Sequence, residues 1–324
     1  MQPSFMKRQR GLSLIELLVS LTIGLVLMVA VMSAYLGASS ASRVAEAQGR
    51  MNEDAQAALN MLTQQLRMAG ANPRQPNYAT DTPRNPVFGP VGAATPTGYA
   101  IRGCDSTFTD PAVAMTALAC SGTGSDAVAV AYEADAFNTV RSTGGNPTDC
   151  LGNEVPTTNA VGVKMWTGAS VVLAAPQPAF RVAENKFYIA DSAGVPSLFC
   201  KGNATGSTAQ ALVENVEEMH IRYGTLNDPA VVTDLRLGGY MTATELNNWS
   251  MPVTTPATDG PTKWAKVVTV RICIIVRSAE PIVSDTTSQR YHDCSGSSTP
   301  NATKTDLRLR RAYSTTVVLR NRVS

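Results

Sequence analysis

The chain has 324 residues, 44% of them hydrophobic, and its 27 Lys and Arg against 25 Asp and Glu leave a formal net charge of +2. That length can bury a substantial core, and the near balance of charge argues against nucleic acid as a general partner. Six cysteines without a Cys-x-x-Cys pair, and only two histidines, argue against structural zinc.

The N-terminal stretch carries the strongest signal. Met6, Lys7, Arg8, Gln9, Arg10 and Gly11 run into Leu12-Ser13-Leu14-Ile15-Glu16-Leu17-Leu18, and no charge follows until after Leu36. About twenty uncharged residues at ~1.5 Å rise match the ~30 Å of hydrocarbon that a membrane-spanning helix must cross. The basic cluster predicts that this end stays in the cytoplasm. A secretory signal places its small-residue cleavage site after the apolar region. Here the one sharp small-residue junction, Gly11-Leu12, precedes it, so a cut there keeps the apolar segment as the mature N-terminal helix. Loss of Lys7, Arg8 and Arg10 would take the formal charge from +2 to −1 before the new amine is counted.

Glu16 then calls for a partner, because an acidic group at mid-membrane costs about 2.5 to 3.5 kcal/mol. One reading is a helix-end carboxylate in the headgroup region, favoured by the helix dipole. The other is a subunit-pairing group that meets a positive charge on another chain, such as the amine of Leu12 released by cleavage.

Past Leu36 the helical pattern becomes one-sided. Val44, Met51, Ala55, Ala58, Leu62, Leu66 and Ala69 recur at three- and four-residue steps, with Arg43, Glu46, Arg50, Glu53, Asp54 and Arg67 around them. Gly70 and Asn72-Pro73 predict the stop. The stripe is too rich in Ala for an independent coiled coil, so it is expected to dock on a globular body. Residues 72–103 read as connecting loop.

Strands follow. Residues 126–132 alternate around Val128 and Val130, and 186–190 form a short aromatic strand leading to Leu198-Phe199-Cys200. In 219–223, Met219, Ile221 and Tyr223 share one face, with His220 and Arg222 on the other. Val268, Val270, Ile272, Ile274 and Val276 form a β-branched face suited to the helix stripe, opposite Thr269, Arg271 and Cys273. A last strand is expected over about 307–319. The whole is α+β: a leader (1–11), a helix (12–71, transmembrane over about 14–36) and a β-rich head (72–324).

The usual catalytic constellations are missing: there is no Gly-x-Ser-x-Gly, no His-Glu-x-x-His and no phosphate-binding Gly-x-x-x-x-Gly-Lys-Ser/Thr. His220 and His292 could each serve as a general base, but His220 sits on the polar face of its strand and reads as a surface residue. Asn227, Asp228 and Asp234 lack the dense alternating carboxylates of a calcium loop. Trp166, Trp249 and Trp264 read as packing rather than as a sugar platform. The expectation is a non-enzyme with no cofactor and no metal. The even cysteine count suits disulfides in an oxidising compartment, with fifteen pairings possible for six cysteines.

Gly11-Leu12-Ser13-Leu14-Ile15-Glu16-Leu17-Leu18-Val19-Ser20 resembles the class III signal of type IV pilins and type II secretion pseudopilins, with Leu12 where Phe is commoner. The segments Leu66–Gly70, Asp149–Gly152, Leu198–Cys200, Leu212–Gly224, Val268–Ile272 and Thr315–Arg322, taken in order, are similar to a PilW-type minor pilin of the type IV pilus system. The resemblance implies cleavage by prepilin peptidase between Gly11 and Leu12, methylation of Leu12 and subunit pairing through Glu16. It also implies an inner-membrane protein with a periplasmic head, which joins other minor pilins and the major pilin to prime assembly and stays at the pilus tip. The pairing expected on this basis is Cys104 with Cys120, Cys150 with Cys200, and Cys273 with Cys294. Short closed segments favour the first and third, and the family-like segments favour the second. A minor pseudopilin of a type II secretion system shares the same N-terminal logic. A membrane-anchored periplasmic adhesin with an uncleaved anchor is the reading from a different class.

Overall fold

In the computed structural model a single helix, α1, spans Leu14–Met68. The structure describes residues 13–72, 87, 98–159, 164–166, 170–173, 179–226, 237–250, 260–285, 289–296 and 304–322. Ser13 opens α1: its carbonyl accepts from the Leu17 N–H at 3.1 Å, and its own N–H donates to Glu16 Oε2 at 3.0 Å. These contacts satisfy one end group of a helix that would otherwise leave four N–H groups unpaired. Gly70 ends the helix, as expected, at φ +72°, a left-handed conformation that costs glycine little. Its N–H donates to the Ala131 carbonyl at 2.9 Å.

Residues 1–49 and 50–324 form two compact units. In the second unit, Met51, Ala55, Ala58, Leu62, Leu66 and Ala69 of α1 are buried. The alanines keep this face thin, so the helix backbone can approach the sheets closely. The reading of this stripe as a docking face agrees with the core that it joins.

That core is closed by two antiparallel sheets. One contains β1 (Ile101–Cys104), β2 (Ala127–Glu133), β6 (Ala179–Ser192), β7 (Val195–Lys201) and β8 (Gln210–Glu214) in that order, with β3 (Thr157–Asn159) also paired to β6. The other has the order β10 (Leu237–Met241), β9 (Val216–Leu226), β11 (Val267–Arg277), β12 (Arg310–Val318). A separate ribbon joins β4 (Lys164–Trp166) to β5 (Val171–Leu173). Two short helices, α2 (Ala243–Asn248) and α3 (Gly260–Trp264), complete the unit. The helix stripe shares one apolar cluster with Val128 and Val130 of β2, Phe187 of β6, Met219, Ile221 and Tyr223 of β9, and Ile272 and Ile274 of β11.

Several strand expectations shift for physical reasons. β1 begins at Ile101, inside the stretch read as loop. β2 is buried on both faces rather than alternating, because Ala127, Ala129 and Ala131 pack into a second cluster with Cys104, Phe108, Met115 and Leu118. β6 begins well before the aromatic run, since its polar residues are paired: Asn185 and Lys186 are buried. A register shift in the β9–β11 pairing between Val267 and Thr269 moves Val267 into the core and leaves Val268 half-buried. β12 starts only at Arg310, because Leu307 takes a positive φ of 58°. Gly103 has a steric reason to be glycine, since a Cβ there would collide with the Tyr223 hydroxyl.

Candidate assembly segment

The start of α1 is apolar all round. Among its side chains, Leu14, Ile15, Leu17, Leu18, Leu25 and Met28 are all more than half exposed within the chain. By length and composition, α1 is the one described helix able to cross a membrane. Over residues 14–36 its serine and threonine hydroxyls are paired within the helix: Ser20 Oγ donates to the Leu17 carbonyl at 3.0 Å, Thr22 Oγ1 to Val19 at 2.9 Å, and Ser33 Oγ to Ala30 at 3.0 Å. Such pairing suits a segment that must satisfy its own polar groups in hydrocarbon. Glu16 lies in the first turn of this stretch, among Ile15, Val19, Ser20 and Ile23, with Oε2 on the Ser13 N–H. The proposed cleavage residues Gly11 and Leu12 lie outside the described residues.

The head holds its layers together with polar networks that periodicity does not reveal. Gln65 Oε1, on the last turns of α1, accepts from Asn185 Nδ2 at 2.8 Å and from the Tyr132 hydroxyl at 3.3 Å, while Asn185 Oδ1 accepts the Cys150 N–H at 3.1 Å. The Tyr313 hydroxyl donates to Asn52 Oδ1 at 2.6 Å. Among the described residues, Arg310 is a heavily paired cation. Its guanidinium donates to Glu217 at 2.6 and 3.1 Å and to Asp306 at 2.8 and 2.6 Å, and Gln289 also donates to Asp306. The hydrogen bonds from Arg310 hold the Asp306 carboxyl well below the ordinary carboxylate range. Burial pushes the nearby Tyr291 phenol up to about 12. Periodicity gives no sign of this cluster, because Arg310 meets Glu217, 93 residues away, only through the folded sheet.

Three disulfides fasten loops to the sheets. Cys104 is bonded to Cys120 with Cα atoms 5.5 Å apart, Cys150 to Cys200 at 6.6 Å, and Cys273 to Cys294 at 5.8 Å. His220 Nε2 lies 3.3 Å from Glu218 Oε2 on the exposed face of β9. This hydrogen bond, helped by the Asp126 charge and opposed by desolvation, raises the imidazole pKa. Trp264 is buried in the core and Trp249 packs against it, while the Trp166 side chain lies outside the description. Asn227, Asp228 and Asp234 also lie outside it, and no metal-binding group of three His, Cys, Asp or Glu occurs among the described residues.

Two family models match the chain. Residues 6–32, which include the Gly11-Leu12 junction and Glu16, match the prokaryotic N-terminal methylation motif. Residues 186–321, which run from β6 beyond β12, match type IV pilus-assembly protein W. Together they support a type IV pilin of the PilW type. A type IV-like pilin from Thermus thermophilus is similar at 11% identity over 84% of this chain and 98% of its own, with a TM-score of 0.37. The sequence matches no curated protein. The PilW and methylation matches support a minor pilin, a structural subunit anchored in a membrane through its N-terminal helix.

Proposed function

We propose that this chain is a minor pilin that primes pilus assembly and takes its place at the pilus tip. Prepilin peptidase would cut between Gly11 and Leu12 and methylate Leu12. The apolar start of α1 would hold the chain in the inner membrane with its N-terminus cytoplasmic and its head periplasmic, and would later join the fibre core beside other minor pilins and the major pilin. Lys7, Arg8 and Arg10 support that orientation.

The observation that carries the reading is one carboxylate, Glu16, near the start of α1, where residues 14–36 are otherwise apolar on every side. Glu16 Oε2 accepts from Ser13 N–H, and among the described residues its second oxygen has no hydrogen-bond donor, which suits it to a cation. In low dielectric that cation would be a neighbour's methylated amine, which keeps its positive charge. Mass spectrometry of the protein recovered from pili tests the processing step. The expected N-terminus is methylated Leu12, and a bulky residue in place of Gly11 blocks its appearance. An intact leader on assembled protein would overturn the reading.

A further inference from the structure

The loop closed by the Cys104–Cys120 disulfide faces the β6–β7 hairpin across a cleft of about 470 Å³, lined in part by Ala112, Val113, Glu184, Lys186, Lys201 and Ser207. Such a volume lies within the range of small-molecule sites. Lys186 and Lys201 stand directly opposite each other across the hairpin, a placement that destabilises unless counter-charge is supplied. Only one of them receives it. Lys186 Nζ meets Glu184 Oε2 at 3.0 Å, whereas Lys201 Nζ donates to two neutral acceptors, the Gly202 carbonyl at 2.7 Å and Ser207 Oγ at 2.9 Å. Asp110, in the disulfide-closed loop, turns Oδ1 to the Ala112 N–H at 2.8 Å and pairs with neither lysine.

The walls are built before any ligand arrives. Met115 N–H donates to the same Glu184 Oε2 at 2.9 Å, and Arg102 Nη1 donates to the Met115 carbonyl at 2.8 Å. Cys200, next to Lys201, is fixed by its bond to Cys150. Pre-organisation of this kind lowers the ordering cost of binding. The disulfide-closed loop offers apolar carbon from Ala112, Val113 and Ala114; the end of β7 and the segment that follows it offer Lys201, Ser207 and Asn203, whose amide also accepts the Glu184 N–H at 3.0 Å and donates to the Val182 carbonyl at 2.8 Å. A sugar has that division, with C–H faces and hydroxyl edges, and a surplus ammonium group selects an acidic one.

We propose that this cleft binds a carboxylate-bearing monosaccharide, of the uronic or sialic acid class, with Lys201 taking the carboxylate and Ser207 and Asn203 meeting the hydroxyls. The site lies wholly on the head, and its test does not depend on the assembly role proposed above. Full-length protein in detergent micelles is titrated with glucuronate and with N-acetylneuraminate, using glucose and acetate as controls. At least one acidic sugar is expected to bind about tenfold more tightly than either control, because glucose lacks the carboxylate for Lys201 and acetate lacks the hydroxyls for Ser207 and Asn203. Lys201→Gln should weaken that binding about tenfold without lowering the melting temperature. Ala112→Trp, on the exposed rim, should abolish it by filling the cleft, and carries the test if the first variant does not fold. Failure of both acidic sugars to bind, equal binding of glucose or acetate, or unchanged affinity in the folded variants would overturn the proposal.

Discussion

The two ends of α1 are helical for different reasons. Residues 14–36 are apolar on every side and meet nothing in their own unit, with Leu25 59% exposed and Met28 77% exposed. The stretch from Met51 to Met68 is apolar on one stripe, and that stripe is fully covered by the sheets. A helix hydrophobic all round needs an apolar medium, whereas a striped one needs a surface. One end of α1 is therefore completed from outside the chain and the other from within it, which divides the experiments that can detect each.

The largest effect should come from the covered end. Leu62→Ala removes a fully buried side chain and should lower head stability by about 3 to 5 kcal/mol. Leu25→Ala should change it by less than about 0.5 kcal/mol. Denaturant unfolding of both variants in detergent, followed by a probe on the head, makes the comparison; equal losses would break it.

Arg310→Ala should come next. It leaves the mostly buried Glu217 without its guanidinium partner, at about 3 kcal/mol. It should also change the acid limb. Asp306 has a lowered pKa in the folded head, so its contribution is present above its ordinary value near 3.8 and is lost as pH falls below it. Wild-type stability should therefore decline in acid with a slope that Arg310→Ala flattens. A parallel decline in both proteins would assign the acid sensitivity elsewhere.

Glu16→Ala should be silent in unfolding and visible in assembly. Membrane insertion and leader cleavage are expected to persist while incorporation into pili falls, as read by immunoblotting of sheared filaments. Normal incorporation would leave the first oxygen's bond to Ser13 as the whole role of Glu16.

The smallest effect belongs to His220. Its pKa is raised by Glu218, so the stabilisation is complete below about 6.5 and fades as pH rises through the folded value. Because the pair is part-exposed, only a shallow fall in melting temperature between pH 6 and 8 is expected. Glu218→Gln should remove that fall, and an unchanged slope would exclude the pair as its source.

Periodicity made α1 legible, including its stop at Gly70, because a 3.6-residue repeat survives wherever one face is dry. The faces of β9 were legible for the same reason at period two. What escaped was set by tertiary pairing. The displacement of Val268 depends on a register shift against β9, and the early start of β6 depends on partners for Asn185, namely Gln65 and Cys150, that lie far off in sequence. The lysine-lined cleft was equally hidden, since Lys186 and Lys201 become neighbours only through the hairpin between them. At the N-terminus, the junction and the lone carboxylate could be read directly, because a local motif carries its chemistry in consecutive residues.

The three disulfides have a mechanical consequence. A head drawn out by its ends cannot lengthen through a closed loop, however far its sheets have come apart. The bond between Cys150 and Cys200 spans a separation of 50 residues, which withholds about 170 Å of contour at ~3.4 Å per residue. Single-molecule stretching should therefore give a short final extension in oxidised protein and a longer one after reduction. The cross-links act as stops on extensibility, whatever their worth to folding at rest.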